Sequence, residues 1–530
     1  MKRAIILLIL NGWFLVNYAQ QPEWEVYIGL SNRNESVREL IECYDKGYYL
    51  EGGHWITNQP SKGWNVKTDI NGCVLWEKNL VHASGTVKVK AAVMDNAGNR
   101  YVGGIIFFDG PDWPFVAKFN ACGEKVWCKT LPKQGYLQGW VTGMVIDSHD
   151  QIIVSLQYTT AQLIDKIFLV AFNPDGDVLW QNVYATLSNY PWLRDPVIYS
   201  MIGHNNEYYL SGYCYWPYPN NPSHVFLRLF FIGIDSLFNE KWILPFAPLD
   251  AIWGKAYNTI PLNDSVLMGV GLRRTSSGGD GLLIFYNING QELGYNQIFS
   301  AQIAPNIISN YLTEIKRIDE TTFIASGFYE PVYSTFYNID LVTDTSAVLF
   351  NHSLKPNAIG FPNLIKTSDN NYAVATEIKI GNALSDISFY KFNKNLQSVP
   401  FDTNPRVYDS LCPHPIQSGT IDMSDCMVWV GTEDIPTPDM YYAGIRTIPI
   451  TVYPNPANDK ITFAFENTEH HKNIVLKCYN LLGVQQYETR IAQGHKESAT
   501  NVSSWSAGMY VAVVYSEGRP VGRVKFVVAR

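Results

Sequence analysis

The sequence predicts an all-β chain: a seven-bladed β-propeller followed by a C-terminal Ig-like β-sandwich. Three observations carry this. A polar turn between two apolar strands recurs along residues 21–402, a second hairpin follows each first one, and residues 449–530 alternate apolar and polar positions in short segments. At 530 residues and 46% apolar content the chain can build more than one core. Aromatic residues reach 14%, which suits many half-buried strands. Charged residues are only 17% and the net charge is −8, with no basic stripe, so a nucleic-acid partner is not expected.

Residues 1–20 read as a signal peptide. Lys2 and Arg3 precede the apolar run AIILLILNGWFLV (4–16), and NYAQQ offers cleavage after Ala19 or Gln20. The run is too short for a transmembrane span, and no later segment approaches that length.

The repeats come next, as YDKGYYLEG (44–52), MDNAGNRYVGG (94–104), IDSHDQIIVS (146–155) and IGHNNEYYLSG (202–212). PLNDSVLMGVG (261–271), IDETTFIASG (318–327) and TSDNNYAVAT (367–376) continue the series, at spacings of 50 to 59 residues. Each is followed by a hairpin such as NVKTDINGCVLW or LVAFNPDGDVLW. Four short strands per unit of about fifty residues is the pattern of a propeller blade. A lone blade cannot bury both faces, whereas a closed ring can. EWEVYIGL (23–30) looks like a fourth strand and is expected to complete the last blade.

Trp76, Trp127, Trp180 and Trp242 fall in the fourth strands and are expected to fill the space between blades. The Gly-x-x-x-Trp spacing (Gly72 to Trp76, Gly123 to Trp127, Gly176 to Trp180) resembles the tryptophan-docking repeat of quinoprotein dehydrogenases, a spacing shared by many propellers. No cofactor is expected. The Asp-rich turns lack the alternating carboxylates of a calcium loop and read as hairpin turns, so no metal site is expected.

In an up-and-down blade the 1–2 and 3–4 loops share one face, and here they are short. The 2–3 and 4–1 loops share the other face and are long and aromatic, which places Trp55, Trp64, Trp113, Trp140, Trp192, Trp216 and Trp253 on one rim. Such rings suit recognition of a glycan, peptide or protein. Asp109, Asp112, Arg194, Asp195, Asp250, Arg273, Arg274 and Asp280 fall on the same face and leave open a polysaccharide hydrolase or lyase. No zinc-protease, nucleophile-elbow, P-loop or dinucleotide motif is present. Catalysis is therefore not the first expectation.

Residues 403–448 form a transition region in which Cys412 and Cys426 are expected to pair and staple the loop. Cys43, Cys73, Cys214 and Cys478 are expected to be buried free thiols.

The tail opens with Tyr453-Pro454-Asn455-Pro456-Ala457 and continues with YNLLGV (479–484), SAGMYVAVV (506–514) and GRVKFVVAR (522–530). These four elements, in this order, resemble the C-terminal sorting domain of type IX secretion cargo in certain Gram-negative bacteria. Tyr453, Pro454, Asn455, Pro456, Gly483, Gly508, Tyr510 and Lys525 carry the match. The resemblance implies the type IX machinery as a partner, export across both membranes, and removal of the domain with the passenger released or held at the cell surface.

Overall fold

The computed structural model describes residues 24–529 except some loop residues, including 108–109, 191–192, 247–252, 300–308, 342–347 and most of 430–447. The expected signal segment 1–20 and Trp192, Asp109 and Asp250 lie outside the described residues. Among the described residues no helix is long and apolar enough to cross a membrane.

The architecture is all-β. Upstream of residue 400, seven four-stranded antiparallel groups follow one another among the described residues. Their first strands are Asn34–Glu42, Thr86–Met94, Tyr136–Ile146, Arg194–His204, Trp253–Pro261, Ser309–Arg317 and Asn363–Lys366. The fifth and sixth groups are joined by a single parallel pair, Gly279 with Ser309. Each first strand packs on the first strand of the next group, and the seventh packs on the first, so these contacts form a closed cycle. The seventh group takes its fourth strand from the other end of the chain: Glu25–Ile28 pairs antiparallel with Leu384–Phe392, Glu25 opposite Tyr390. EWEVYIGL thus occupies the place expected of it.

The short turns are built by their own side chains. Asp69 Oδ1 accepts the N–H groups of Asn71 and Cys73, and Asp95, Asn120, Asp147, Asn173, Asp235 and Asn287 repeat the arrangement. Consecutive groups are then latched by tryptophan. A Cβ on Gly123 would meet Trp76 at 2.9 Å, one on Gly176 would meet Trp127 at 2.7 Å, and one on Gly290 would meet Trp242 at 2.5 Å. Trp180 instead packs on Phe238, with ring centroids 4.3 Å apart and the rings tilted by 45°. Trp24, beside the N-terminal strand, reaches Gly72 of the first group in the same way and donates Nε1–H to Asn71 Oδ1. The recurrent tryptophans are therefore packing residues, each seated on a tight turn of its neighbour.

A second regularity lies in the first strands. Six of them carry one extra residue: Arg38, Lys90, Thr142, Tyr199, Tyr257 and Thr313 are each skipped in the pairing with the second strand. Such a bulge bends the strand and redirects a side chain. The bend drives a first-strand carbonyl onto the second strand where only hydrogen fits. A Cβ on Gly52, Gly104, Gly212, Gly271 or Gly327 would lie 1.8–2.1 Å from the carbonyl oxygen of Ser36, Lys88, Val197, Lys255 or Tyr311. Gly271→Ala is therefore expected to lower stability by roughly 3 kcal/mol, the upper range for overpacking. Urea denaturation of the purified protein measures this, and a loss below about 1 kcal/mol would contradict the described register.

The transition region departs from expectation. Cys412 is bonded to Cys122 and Cys426 to Cys128, closing loops of 290 and 298 residues, so the expected Cys412–Cys426 staple is absent. The reason is that this stretch does not curl on itself but runs along the outer strands of the first two groups. Gly419–Asp422 adds in parallel to Val74–Val81, and Met427–Val428 adds in parallel to Lys125–Thr130. Trp76 Nε1–H donates to Asp409 Oδ2 at 3.0 Å, Ile70 N–H donates to the Tyr408 hydroxyl at 3.0 Å, and Asn71 Nδ2 donates to the Asp402 carbonyl at 2.8 Å. Of the free cysteines, Cys43, Cys214 and Cys478 are buried, but Cys73 is exposed because it closes a surface turn.

The tail forms two facing sheets. One holds Ile450–Tyr453, Lys460–Phe465 and Glu497–Asn501; the other holds Gln485–Ile491, Ile474–Asn480, Gly508–Ser516 and Arg519–Val528. Ile461, Phe463, Leu476, Cys478, Trp505, Val514 and Phe526 fill the space between them.

Candidate functional site

The first strands are the ones in contact round the cycle, and in six of them a bulge redirects one side chain. Thr142 and Thr313 turn back to second-strand partners: Thr142 donates to the Ser155 hydroxyl at 2.8 Å and Thr313 to the Ser326 carbonyl at 3.3 Å. Arg38, Lys90, Tyr199 and Tyr257 have longer side chains, and they make two distinct surfaces.

The first is aromatic. Tyr199 stacks on Tyr257 with centroids 5.1 Å apart, and Tyr257 meets Phe361 at 5.4 Å. Tyr213 lies 5.7 Å from Tyr199, and Phe328 lies 5.9 Å from Phe361. Lys255 Nζ sits 4.7 Å above the Tyr213 ring, and burial lowers its pKa. Tyr199 is 38% exposed and Phe361 43%, so part of this ring system faces solvent.

The second surface is cationic. Arg38, Lys88 and Lys90 line a cavity of about 270 Å³ with Ser36, Gly53, Trp55, Ser61 and Val89. Burial, reinforced by the charges of Arg38 and Lys88, holds the Lys90 ammonium down to about 8, while Asp112 acts in the opposite sense. Beyond the bulge, Glu39 is pushed up to about 8 by burial, with Glu314 adding like charge and Lys316 opposing it. Lys316 pairs with Glu314 at 3.1 Å.

The expected rim tryptophans end up in different environments. Trp55 is 36% exposed and lines the cationic cavity. Trp64 is buried at 1% exposure, with Nε1–H donated to Glu77 Oε2 at 2.7 Å and the Arg33 guanidinium over its ring, so it is core rather than rim. Trp113, Trp140, Trp216 and Trp253 are half-buried, Trp113 and Trp216 against the cores of their groups and Trp253 beneath Arg274. All are in strands, because the hairpins run further than the loops read from sequence; the strands Glu207–Tyr218 and Asn221–Ile234 are the extreme case. Of the charged residues, Arg273 is buried and opposite Asp280, and Arg194 is exposed. The aromatic series Tyr199, Tyr213, Tyr257 and Phe361 was missed, since nothing marks a bulge position in a strand of ordinary composition.

A larger cavity, about 750 Å³, is formed between short turns at residues 147–151 and 173–175 and the tail residues Glu469, His471, Lys472 and Gln493. Among the described residues no cluster of His, Cys, Asp and Glu could hold a metal.

In the tail, the motif residues tie the domain's start to its end. Asn455 Oδ1 accepts the Val527 N–H at 2.9 Å, and Ala457 N–H donates to the Val527 carbonyl at 2.8 Å. Both peptide bonds preceding Pro454 and Pro456 are cis. Tyr453 is exposed and donates its hydroxyl proton to Glu497 at 2.6 Å. Gly483 adopts φ 79° in the Asn480–Val484 turn, where glycine avoids strain. Gly508 opens the strand in which Tyr510 stacks on Phe526 at 5.6 Å, and Lys525 points outward opposite Val511.

Comparison with known proteins adds a family for the tail. No curated protein matches the chain. Among solved structures, an ulvan lyase from a new family of polysaccharide lyases is similar at 9% identity and a TM-score of 0.47, covering 70% of this chain and 96% of that one. Drosophila Plexin A, in complex with Semaphorin 1b, is similar at 8% identity and a TM-score of 0.40, covering 70% and 87%. At these values neither bears on function. Residues 451–529 match the secretion system C-terminal sorting domain. With the motif residues placed as described, the chain is a type IX secretion cargo protein, exported to the cell surface or beyond it.

Proposed function

We propose that the seven four-stranded groups are the blades of a seven-bladed β-propeller, closed by the N-terminal strand, and that it serves as an exported binding module for a glycan. The closed cycle of first-strand contacts and the pairing of Glu25–Ile28 with Leu384–Phe392 support the ring. The observation that carries the binding function is the aromatic series Tyr213, Tyr199, Tyr257 and Phe361 beside Lys255, open to solvent at Tyr199 and Phe361 and carried on strands at its three tyrosines. Rings fixed on strands lose little entropy when a sugar stacks on them. Glycan arrays with the secreted protein test this. Binding is expected, and joint Tyr199→Ala and Tyr257→Ala replacement should weaken it roughly tenfold. Unchanged affinity in that variant would move the site elsewhere.

One observation favours a second reading, hydrolysis. Burial, with Glu314 adding to it, pushes the Glu39 carboxyl up to about 8, and Glu314 itself pairs with Lys316 at 3.1 Å. An acid and a carboxylate are the parts glycoside hydrolysis uses. Release of reducing ends from a bound polysaccharide, lost in Glu39→Gln, would support it; no release from any bound glycan would rule it out.

A further inference from the structure

The cationic cavity gives the glycan a chemical class. Resting on the binding function above, we infer that the ligand is an acidic glycan whose sulfate or carboxylate group is held by Arg38, Lys88 and Lys90 beside Trp55.

Four observations converge. Arg38 and Lys90 are both bulged residues on adjacent first strands, so the fold itself turns two cations toward one cavity. Lys88 lines it too, and its backbone carbonyl is the one pressed against Gly104. Among the described residues none of the three cations is in an ion pair. Two carboxylates influence them without an ion pair, Asp112 on Lys90 and Glu377 on Arg38.

Three like charges around about 270 Å³ repel one another, and the depressed Lys90 pKa records that repulsion together with burial. An anion seated among them removes the repulsion and gains charge-assisted hydrogen bonds, with Arg38 able to offer a two-pronged donor to sulfate or carboxylate. The exposed Trp55 ring and the Ser36 and Ser61 side chains on the same wall supply what a sugar needs besides its charge: an apolar face to stack on and hydroxyl partners. An acidic peptide would satisfy the cations, but a sugar ring carries its acid group, its hydroxyls and an apolar C–H face for Trp55 in one unit.

The test compares sulfated, uronate-bearing and neutral oligosaccharides of equal length, together with an acidic peptide and inorganic sulfate, by calorimetry on the full secreted protein. The acidic oligosaccharides should bind, and the paired Lys88→Gln and Lys90→Gln variant should lose roughly tenfold or more in affinity. The charge-keeping Lys88→Arg and Lys90→Arg pair should retain most of it, and an unchanged thermal midpoint in both pairs separates binding from folding. Preference between the sulfated and uronate ligands identifies which acid group is bound. Neutral oligosaccharides that bind equally well, unaffected by Lys88→Gln and Lys90→Gln, would overturn the inference while leaving the glycan-binding function in place. Tighter binding of the acidic peptide than of any sugar would overturn the glycan class. No binding of any oligosaccharide would overturn the glycan-binding function itself.

Discussion

Glu51→Ala should cost about 3–5 kcal/mol of stability, the range for removing one partner of a buried ion pair. Glu51 and Arg100 are both fully buried and in direct contact, the first in the second strand of group one and the second in the matching strand of group two. Arg100 also lies over the Tyr49 ring at 4.0 Å and near Trp76 and Phe119. Among the described residues its Nε and Nη2 have no hydrogen-bond partner, so losing Glu51 strands a full charge among aromatic rings. Replacing both residues together, as Glu51→Leu with Arg100→Met, should cost much less, because no charge is left behind. Urea denaturation of the two variants distinguishes these outcomes, and an equal cost for the single and the double variant would show that the pair is not the reason.

The second large effect concerns the strap along residues 403–429. Cys122→Ser and Cys128→Ser should each lower stability by about 2–5 kcal/mol, since each bond closes a loop of 290 or more residues. Removing both should also release Gly419–Asp422 and Met427–Val428 from the outer strands they extend. Thermal unfolding with and without reductant measures the cost. Peptide mapping under non-reducing conditions checks the pairing, which should link Cys122 to Cys412 and Cys128 to Cys426. A Cys412–Cys426 peptide, or a midpoint indifferent to reductant, would contradict the strap.

Some of this was legible in the sequence. The turn residues Asp69, Asp95 and Asn173 announce themselves because their side chains build the turn locally, and the glycines ending YLEG, YVGG, YYLSG, LMGVG and FIASG mark where two strands approach too closely for a side chain. The bulge positions do not announce themselves. Arg38, Lys90, Thr142, Tyr199, Tyr257 and Thr313 span four residue types, and what unites them is pairing register, a non-local property. The disulfides were misread for the same reason: Cys412 and Cys426 are close in sequence, while their partners come close only once residues 403–429 lie along the first two groups. The rim tryptophans were chosen by residue type on long connections, but Trp64 serves the core. The tail was the most readable part, since Gly483 and Tyr510 each make a local contact that their identity requires, although the Asn455 bond to Val527 spans the domain.

Hydrogen–deuterium exchange on the full secreted protein, with and without a glycan that binds it, tests the central claim most directly. If the ligand sits on the aromatic series, protection should appear at residues 194–200, 253–258 and 359–362, which carry Tyr199, Tyr257 and Phe361. Protection confined to the short turns near residues 95–99 and 147–151, or to the tail after residue 449, would contradict it.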